Sequence, residues 1–296
     1  MKIISWNLNG IRSRIFNDKI SSQIKNIKSI SPSESSPIRQ LINEHGPDIF
    51  CFQETRCNII RGSEFIIPGY KSYFNESKLD DARSRDRYSG TAIYYKETMK
   101  CISVDINIPG YEDLEGRIII MHFEDFIIVN VYAPNSGTNY ENKILFMDSM
   151  INFLNSQEMP VIFCGDMNIA IDTHFDKTKV KPSPGLYKHE LDFHDNLKDI
   201  GYIDSISPED EIIYTWWDPR QKKENGMSMV RNRNKGWRLD YFFTRNFDEN
   251  NRMSSKSLKY IGENKFIPCA SDHSPVLLNY DQIPSVWPSP PHQSEV

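Results

Sequence analysis

The sequence lacks any run of about 18 apolar residues, so nothing in it reads as a membrane-spanning helix. No leader is expected either: Met1 runs almost directly into Ile3-Ile4-Ser5-Trp6, and the expectation is an intracellular protein of the cytoplasm or nucleus. Its five cysteines (Cys51, Cys57, Cys101, Cys164 and Cys269) are odd in number and show no C-x-x-C spacing, which argues against a disulfide framework and for reduced thiols. A basic excess is missing too. The net charge of −5 argues against a non-specific nucleic-acid coat, since a backbone binder usually carries a positive balance. No internal repeat of about 20 to 50 residues is visible, and no Pro/Gly-rich linker divides the middle of the chain. One catalytic domain over residues 1–280 is therefore expected, with 17–36 as an inserted loop ending in a serine-rich run and 283–296 as a Pro-rich tail.

Apolar material is present in quantity. A hydrophobic share of 39%, with 16 Phe, 14 Tyr and 5 Trp, is ample for a sizeable core. It is distributed in short runs: Ile3 to Trp6, Asp48 to Phe52, Ile118 to Met121, Phe126 to Val131 and Val161 to Cys164. Their length and β-branched content favour buried strands. Helical spacing links Ile144, Met147, Ile151 and Leu154, and Ser36-Pro37 supplies an N-cap with proline at the first helical position before Ile38 and Leu41. Buried strands with helices between them imply a layered α/β fold, either two packed sheets flanked by helices or a doubly wound sheet; periodicity does not separate the two.

Strand after strand ends in a polar residue able to bind a metal or a phosphate. Asn7 follows the first run, Gln53-Glu54 the second, Tyr132 the fourth, and Asp166 with Asn168 the fifth; Asp240 lies in Trp237-Arg238-Leu239-Asp240-Tyr241-Phe242, and Asp272-His273 precedes Ser-Pro-Val-Leu-Leu. Side-by-side strands would bring these ends to one cleft. A single such acid is usually a cap or turn residue, but six ends together point to a site. Oxygen donors without a Cys/His cluster suit a hard cation, Mg²⁺ or Mn²⁺ rather than Zn²⁺. His273, beside Asp272, suits donation to a phosphate oxygen better than metal ligation.

The segments Ser5-Trp6-Asn7-Leu8-Asn9-Gly10, Gln53-Glu54-Thr55-Arg56, Ser89-Gly90-Thr91, Glu115-Gly116-Arg117, Val131-Tyr132-Ala133-Pro134-Asn135, Gly165-Asp166-Met167-Asn168, Tyr214-Thr215-Trp216-Trp217, Gly236 to Phe242 and Ser271-Asp272-His273-Ser274 stand in one order along nearly the whole chain. This set resembles the exonuclease III family of apurinic/apyrimidinic endonucleases. The resemblance implies a four-layer α/β sandwich, two packed mixed sheets flanked by helices. It also implies Mg²⁺-dependent incision of double-stranded DNA on the 5′ side of an abasic site, leaving a 3′-hydroxyl and a 5′-deoxyribose phosphate, with 3′-to-5′ exonuclease and 3′-phosphodiesterase activity in many members. A monomer that does not engage membranes is expected.

Carried over by position, Glu54 would hold the metal with Asp272 and Asn7 around it. Asp166, helped by Asn168, would orient or deprotonate the attacking water and stand close to the ion. His273, oriented by Asp240, would stabilise charge on the phosphoryl oxygens, and Tyr132 would bind the same phosphate. Trp216, Trp237 and Leu239 would line the pocket for the flipped sugar, and Asn135 would contact DNA. Two features depart from the mammalian members: Thr138 replaces an Arg that pushes into the DNA stack, and Asn9 follows the bacterial pattern. From Arg220 to Arg238 there are seven Lys/Arg against one acid, and Arg83, Arg85 and Arg87 form a second basic cluster. The longer segment 218–235 is expected to clamp DNA, with Arg231, Arg233 and Lys235 directed at the cut strand and Met227 and Met229 as apolar wedges. The competing readings are another phosphodiesterase of the superfamily, such as an RNA deadenylase or a lipid phosphatase, and a catalytically inactive nucleic-acid-binding module.

Overall fold

A computed structural model describes residues 1–12, 31–34, 36–57, 64–79, 88–206, 213–220, 223–224, 227–247, 253–258 and 271–281. Most of the expected insert, the Pro-rich tail and the cluster Arg83, Arg85 and Arg87 fall outside these residues. Two six-stranded mixed sheets face each other. The first runs, in spatial order, β13 (Met253–Ser257), β14 (Val276–Tyr280), β1 (Lys2–Asn7), β2 (Ile49–Gln53), β4 (Thr91–Lys96) and β3 (Tyr70–Asn75). The second runs β5 (Cys101–Asp105), β6 (Ile118–Phe123), β7 (Ile127–Tyr132), β8 (Val161–Asp166), β12 (Asp240–Arg245) and β9 (Ile203–Asp204), and β10 (Lys223–Glu224) pairs with β11 (Met227–Ser228) in a separate two-stranded antiparallel sheet. Each sheet has one parallel pair at its centre, β1 with β2 and β7 with β8, and antiparallel partners outside it. The two sheets thus repeat one topology, and in each the central parallel strands end at the same edge.

Both faces of the central strands are covered, which is why they read as continuous apolar runs rather than alternating ones. Ile3, Ile49, Cys51 and Ile93 of the first sheet meet Ile119, Ile128, Ile162, Cys164 and Phe242 of the second in the inner core. The outer face of the first sheet, with Ile4, Trp6 and Phe52, packs on α1 (Pro37–His45) through Ile38 and Leu41. The outer face of the second, with Val129, Phe163 and Phe243, packs on α2 (Tyr140–Asn155) and α3 (Lys188–Asp199). Helix, sheet, sheet and helix make the four layers. Each large apolar side chain so buried contributes about 1.5–3 kcal/mol.

Ser36 caps α1 as expected, its hydroxyl accepting from the Arg39 N–H at 3.1 Å, with Pro37 in the first turn. The buried stripe of α2 is rotated from the expected one: Lys143, Phe146, Met147, Met150 and Leu154 face the sheet, while Ile144 and Ile151 are only half-buried. A lysine in that stripe hides it from a hydrophobic pattern. Among the described residues, Cys51, Cys57, Cys101 and Cys164 form no disulfide. Among the described residues no helix is long and apolar enough to cross a membrane.

The space between the sheets is graded along the strands. Inward positions on β1 read Ile3, Ser5, Asn7; on β2, Ile49, Cys51, Gln53; on β7, Ile128, Asn130, Tyr132; on β8, Ile162, Cys164, Asp166. Period-two alternation therefore carries the inner face from hydrocarbon at one edge to the candidate chemistry at the other. Gly165, just before Asp166, has φ +131°, and a Cβ there would lie 1.9 Å from the Val131 carbonyl, so no other residue lets β8 approach β7 this closely.

Candidate active site

Register alone places much of the site. Asn7 pairs with Gln53 across β1 and β2, Tyr132 with Asp166 across β7 and β8, and Asp166 with Asp240 across β8 and β12. The chain then leaves several strands through left-handed residues: Asn9 at φ 49°, Glu54 at 47° and Asn168 at 49°. Asparagine tolerates this conformation, but for Glu54 it costs roughly 1–2 kcal/mol. Three such turns at one edge re-aim polar side chains into the gap between the sheets.

Asn7 is buried at the centre of the resulting network. Its Nδ2 donates to Asp166 Oδ2 at 2.8 Å and to Glu54 Oε1 at 3.0 Å, and its Oδ1 accepts the Asn9 N–H at 3.0 Å. It therefore bridges two carboxylates through nitrogen, where a metal ligand would present the oxygen. His273 Nδ1 lies 2.8 Å from Asp240 Oδ2 and its Nε2 3.7 Å from Asp166 Oδ2. Burial alone would lower the imidazole pKa, but Asp240 and Asp166 outweigh it and raise it to about 10, so His273 is a cation at neutral pH. Burial raises Asp166 to about 7, with His273 pulling down and Asp240 pushing up. A carboxylate that titrates near neutrality beside a fixed imidazolium is matched to proton transfer.

Asn168 donates its backbone N–H to Asp166 Oδ1 at 2.9 Å and its Nδ2 to the Ala133 carbonyl at 2.9 Å, and it accepts from Asn135 at 3.3 Å. Tyr132 is driven well above its ordinary pKa by burial and by Glu54, so its phenol keeps its proton as a donor. The buried Arg117 guanidinium lies 4.7 Å from the Tyr132 ring centroid and donates to the Tyr132 carbonyl at 3.0 Å. Asp272 stands apart from Asp166: Asn9 Nδ2 and Trp216 Nε1 donate to its two oxygens, each at 3.0 Å. Burial alone would raise Asp272, but the His273 charge and these donors hold it below the ordinary carboxylate range.

The endonuclease/exonuclease/phosphatase family model matches residues 4–273. The chain belongs to this family. It is 30% identical to a DNA-(apurinic or apyrimidinic site) endonuclease of Dictyostelium discoideum over 93% of this chain and 69% of that protein. It is also 30% identical to an exodeoxyribonuclease of Bacillus subtilis over 94% of this chain and 98% of that one. Among solved structures, an AP endonuclease from Archaeoglobus fulgidus superposes with a TM-score of 0.67 at 22% identity, over 95% of this chain and all of that one. A 3′ phosphatase from Neisseria bound to a product DNA hairpin superposes with a TM-score of 0.68 at 20% identity, over 95% of this chain and all of that one. This family member is a hydrolase with the fold of those proteins, and the sequence resemblance pointed to the same group.

The family is metal-dependent, and Asp166, Asp240 and His273 form a buried group whose ligand atoms lie within 4.8 Å of one another. With His273 protonated, that group is already an internal ion pair. Glu54 is the more open acid: its side chain is 15% exposed, and its pairing with Arg56 at 2.5 Å involves a guanidinium 41% exposed. Such an exposed pair is worth only about 0–1 kcal/mol, so a divalent ion meets little competition there. The residues fit a hard cation held from Glu54, with Asn7 and Asp166 beside it.

Trp216, Trp237 and Leu239 do come together, the two indoles 5.6 Å apart and edge-on, in a small cluster with Ala170, Leu186 and Phe175. The last three were not visible in the sequence as part of this wall. Arg233 and Lys235 are exposed, but Arg231, expected to face DNA, is turned inward. It is buried, its guanidinium lies 4.7 Å from the Trp217 ring centroid, and Nη1 donates to the Ser271 carbonyl at 2.8 Å. The side chain of Met227 lies outside the described residues, and Met229 opens the short helix α4 (Met229–Asn232). Lys143 was also missed: fully buried, it donates to the Met167 carbonyl, and burial lowers it to about 7.

Proposed function

We propose that the protein is a Mg²⁺-dependent AP endonuclease that acts as a monomer on double-stranded DNA and hydrolyses the phosphodiester 5′ of an abasic site. The observation that carries this reading is the His273–Asp240–Asp166 constellation lying beside the Trp216–Trp237–Leu239 wall. A sugar without a base is small and partly apolar, and rigid indole walls accept it while excluding a nucleotide that keeps its base. Asp166 takes the proton of the attacking water, with Asn168 and Asn7 fixing its orientation. The imidazolium of His273, held by Asp240, and the Tyr132 phenol donate to the phosphoryl oxygens as charge builds there. Glu54, with Asp272 assisting, would hold Mg²⁺ or Mn²⁺, which would supply neutralisation of the phosphate charge. The products are a 3′-hydroxyl and a 5′-deoxyribose phosphate. The same groups suit removal of 3′-terminal residues and blocking groups, in keeping with the exodeoxyribonuclease name of the B. subtilis relative.

The test is a substrate panel of duplex with one abasic site, intact duplex and single-stranded RNA, each with Mg²⁺ or EDTA. Incision restricted to the abasic duplex and dependent on Mg²⁺ is expected. Preferential cleavage of RNA, or no cleavage of any strand, would overturn the reading in favour of a deadenylase or an inactive binding module respectively.

A further inference from the structure

The site is divided between two sheets: Asn7, Glu54, Asp272 and His273 come with the first, and Tyr132, Asp166, Asn168 and Asp240 with the second. Outside the site itself, where Asn7 reaches Asp166 and His273 reaches Asp240, and apart from the Asn75 Nδ2 bond to the Ile118 carbonyl at 2.9 Å, what joins the inner faces is mostly hydrocarbon, which fixes spacing loosely because apolar contacts have no direction. One layer is different. Immediately below the site, Gln53 Nε2 donates to Asn130 Oδ1 at 2.6 Å across the gap, while within its own sheet Ser5 Oγ at 3.0 Å and the Cys51 carbonyl at 3.2 Å share its other N–H. Asn130 Nδ2 in turn crosses to the first sheet, donating to the Phe52 carbonyl at 3.1 Å and the Ala92 carbonyl at 3.2 Å. All three polar side chains are fully buried.

From this arrangement we infer that Gln53 and Asn130 form a clasp that positions the two halves of the site against each other, and that neither residue serves chiefly to stabilise the fold. The inference rests on the proposed reading of the site. Three directional bonds cross the gap within one to two residues of Glu54 and Tyr132, so they set both the separation and the lateral register of the strand ends. Stability gives a poor reason for the pair. Gln53 Oε1 is buried without a partner among the described residues, a desolvation cost that apolar residues of the same shape would avoid. Buried polar groups of this kind are retained where they specify one arrangement among several packings. The reaction needs that specificity, because in-line attack at phosphorus is sensitive to displacement of about 1 Å, which alone costs about 100-fold in rate.

The test replaces the clasp by apolar isosteres in the doubly substituted Gln53→Met, Asn130→Leu protein, assayed on abasic duplex with Mg²⁺ after wild-type incision has been established. Absence of wild-type incision would refute the reading of the site and leave the clasp to be judged on whichever substrate the panel identifies. The clasp predicts a melting temperature at or above the wild-type value, kcat lowered about tenfold or more, and KM within about twofold. Ile128→Val, in the same interface, serves as the control and keeps wild-type kcat. Gln53→Met alone, which preserves the two Asn130 bonds to the first sheet, should show a smaller loss in the same direction. Wild-type kcat in the double variant would overturn the inference. Failure of both variants to fold would overturn it equally, by assigning the pair to stability.

Discussion

Asp166 and His273 carry opposite demands on protonation, and their environments satisfy both. In the proposed mechanism Asp166 must be ionised to accept a proton, and burial pushes it up to about 7; His273 must stay charged, and Asp240 and Asp166 push it up to about 10. The profile of kcat/KM against pH should therefore rise through about 7 and fall through about 10, since that ratio reports the free enzyme. Asp166→Asn should lower kcat by roughly 100-fold or more in a protein with unchanged circular dichroism and should remove the rising limb. A flat profile between pH 6 and 8, or an active Asp166→Asn enzyme, would remove Asp166 from its role. At this scale the sequence offered the candidate residues but not their bonding. Glu54, Asp166, Asp240 and His273 were legible because motif and strand end coincide. The use of Asn7 as a nitrogen bridge, the capture of Asp272 by Asn9 and Trp216, and the stacking of Arg117 on Tyr132 depend on contacts between residues tens to hundreds of positions apart, which no local pattern encodes.

The elements were easiest to read where burial is two-sided. β1, β2, β6, β7 and β8 announced themselves as apolar runs, whereas β3, β5 and β13 did not, because Tyr70–Asn75, Cys101–Asp105 and Met253–Ser257 are edge strands that leave much of their length exposed. The segment 218–235 was read as a DNA clamp from its position between Trp216 and Trp237 and from its charge, and neither tells an inward arginine from an outward one. Arg231 ties this segment to Ser271, whose hydroxyl donates to the Asn7 carbonyl and accepts the His273 N–H at 3.1 Å. Arg231→Ala is thus expected to lower both thermal stability, by about 1–3 kcal/mol, and kcat, since the Ser271–His273 turn loses its anchor. Arg233→Ala and Lys235→Ala, on the exposed side, should instead raise KM for DNA several-fold and spare both kcat and stability. Steady-state kinetics with melting curves on the three variants separates these outcomes. Equal behaviour of all three would mean that the segment has no inward anchor.

For the whole molecule, the repeated sheet topology explains why one chain of moderate length can build so dense a site: two parallel strand pairs deliver their ends to one edge, and a layer of helices covers each outer face. Net charge is −5, yet DNA affinity should still weaken by roughly tenfold or more between about 50 and 200 mM salt, because local cations such as Arg233 and Lys235 release counterions from phosphates regardless of the global sum. A salt-independent dissociation constant, measured by anisotropy on uncleaved abasic duplex in EDTA, would contradict that. The four-layer architecture was legible only through the motif order, since apolar runs alone left a doubly wound sheet open. The bond that is cut decides the proposed function, and product mapping on an abasic duplex labelled at either end reads it directly. It should give, with Mg²⁺, a single incision immediately 5′ of the abasic residue, with an upstream fragment that a polymerase extends from its 3′-hydroxyl and a downstream fragment carrying 5′-deoxyribose phosphate. Incision 3′ of the abasic residue, or a 3′-phosphate on the upstream fragment, would contradict hydrolysis by Asp166-activated water at this site.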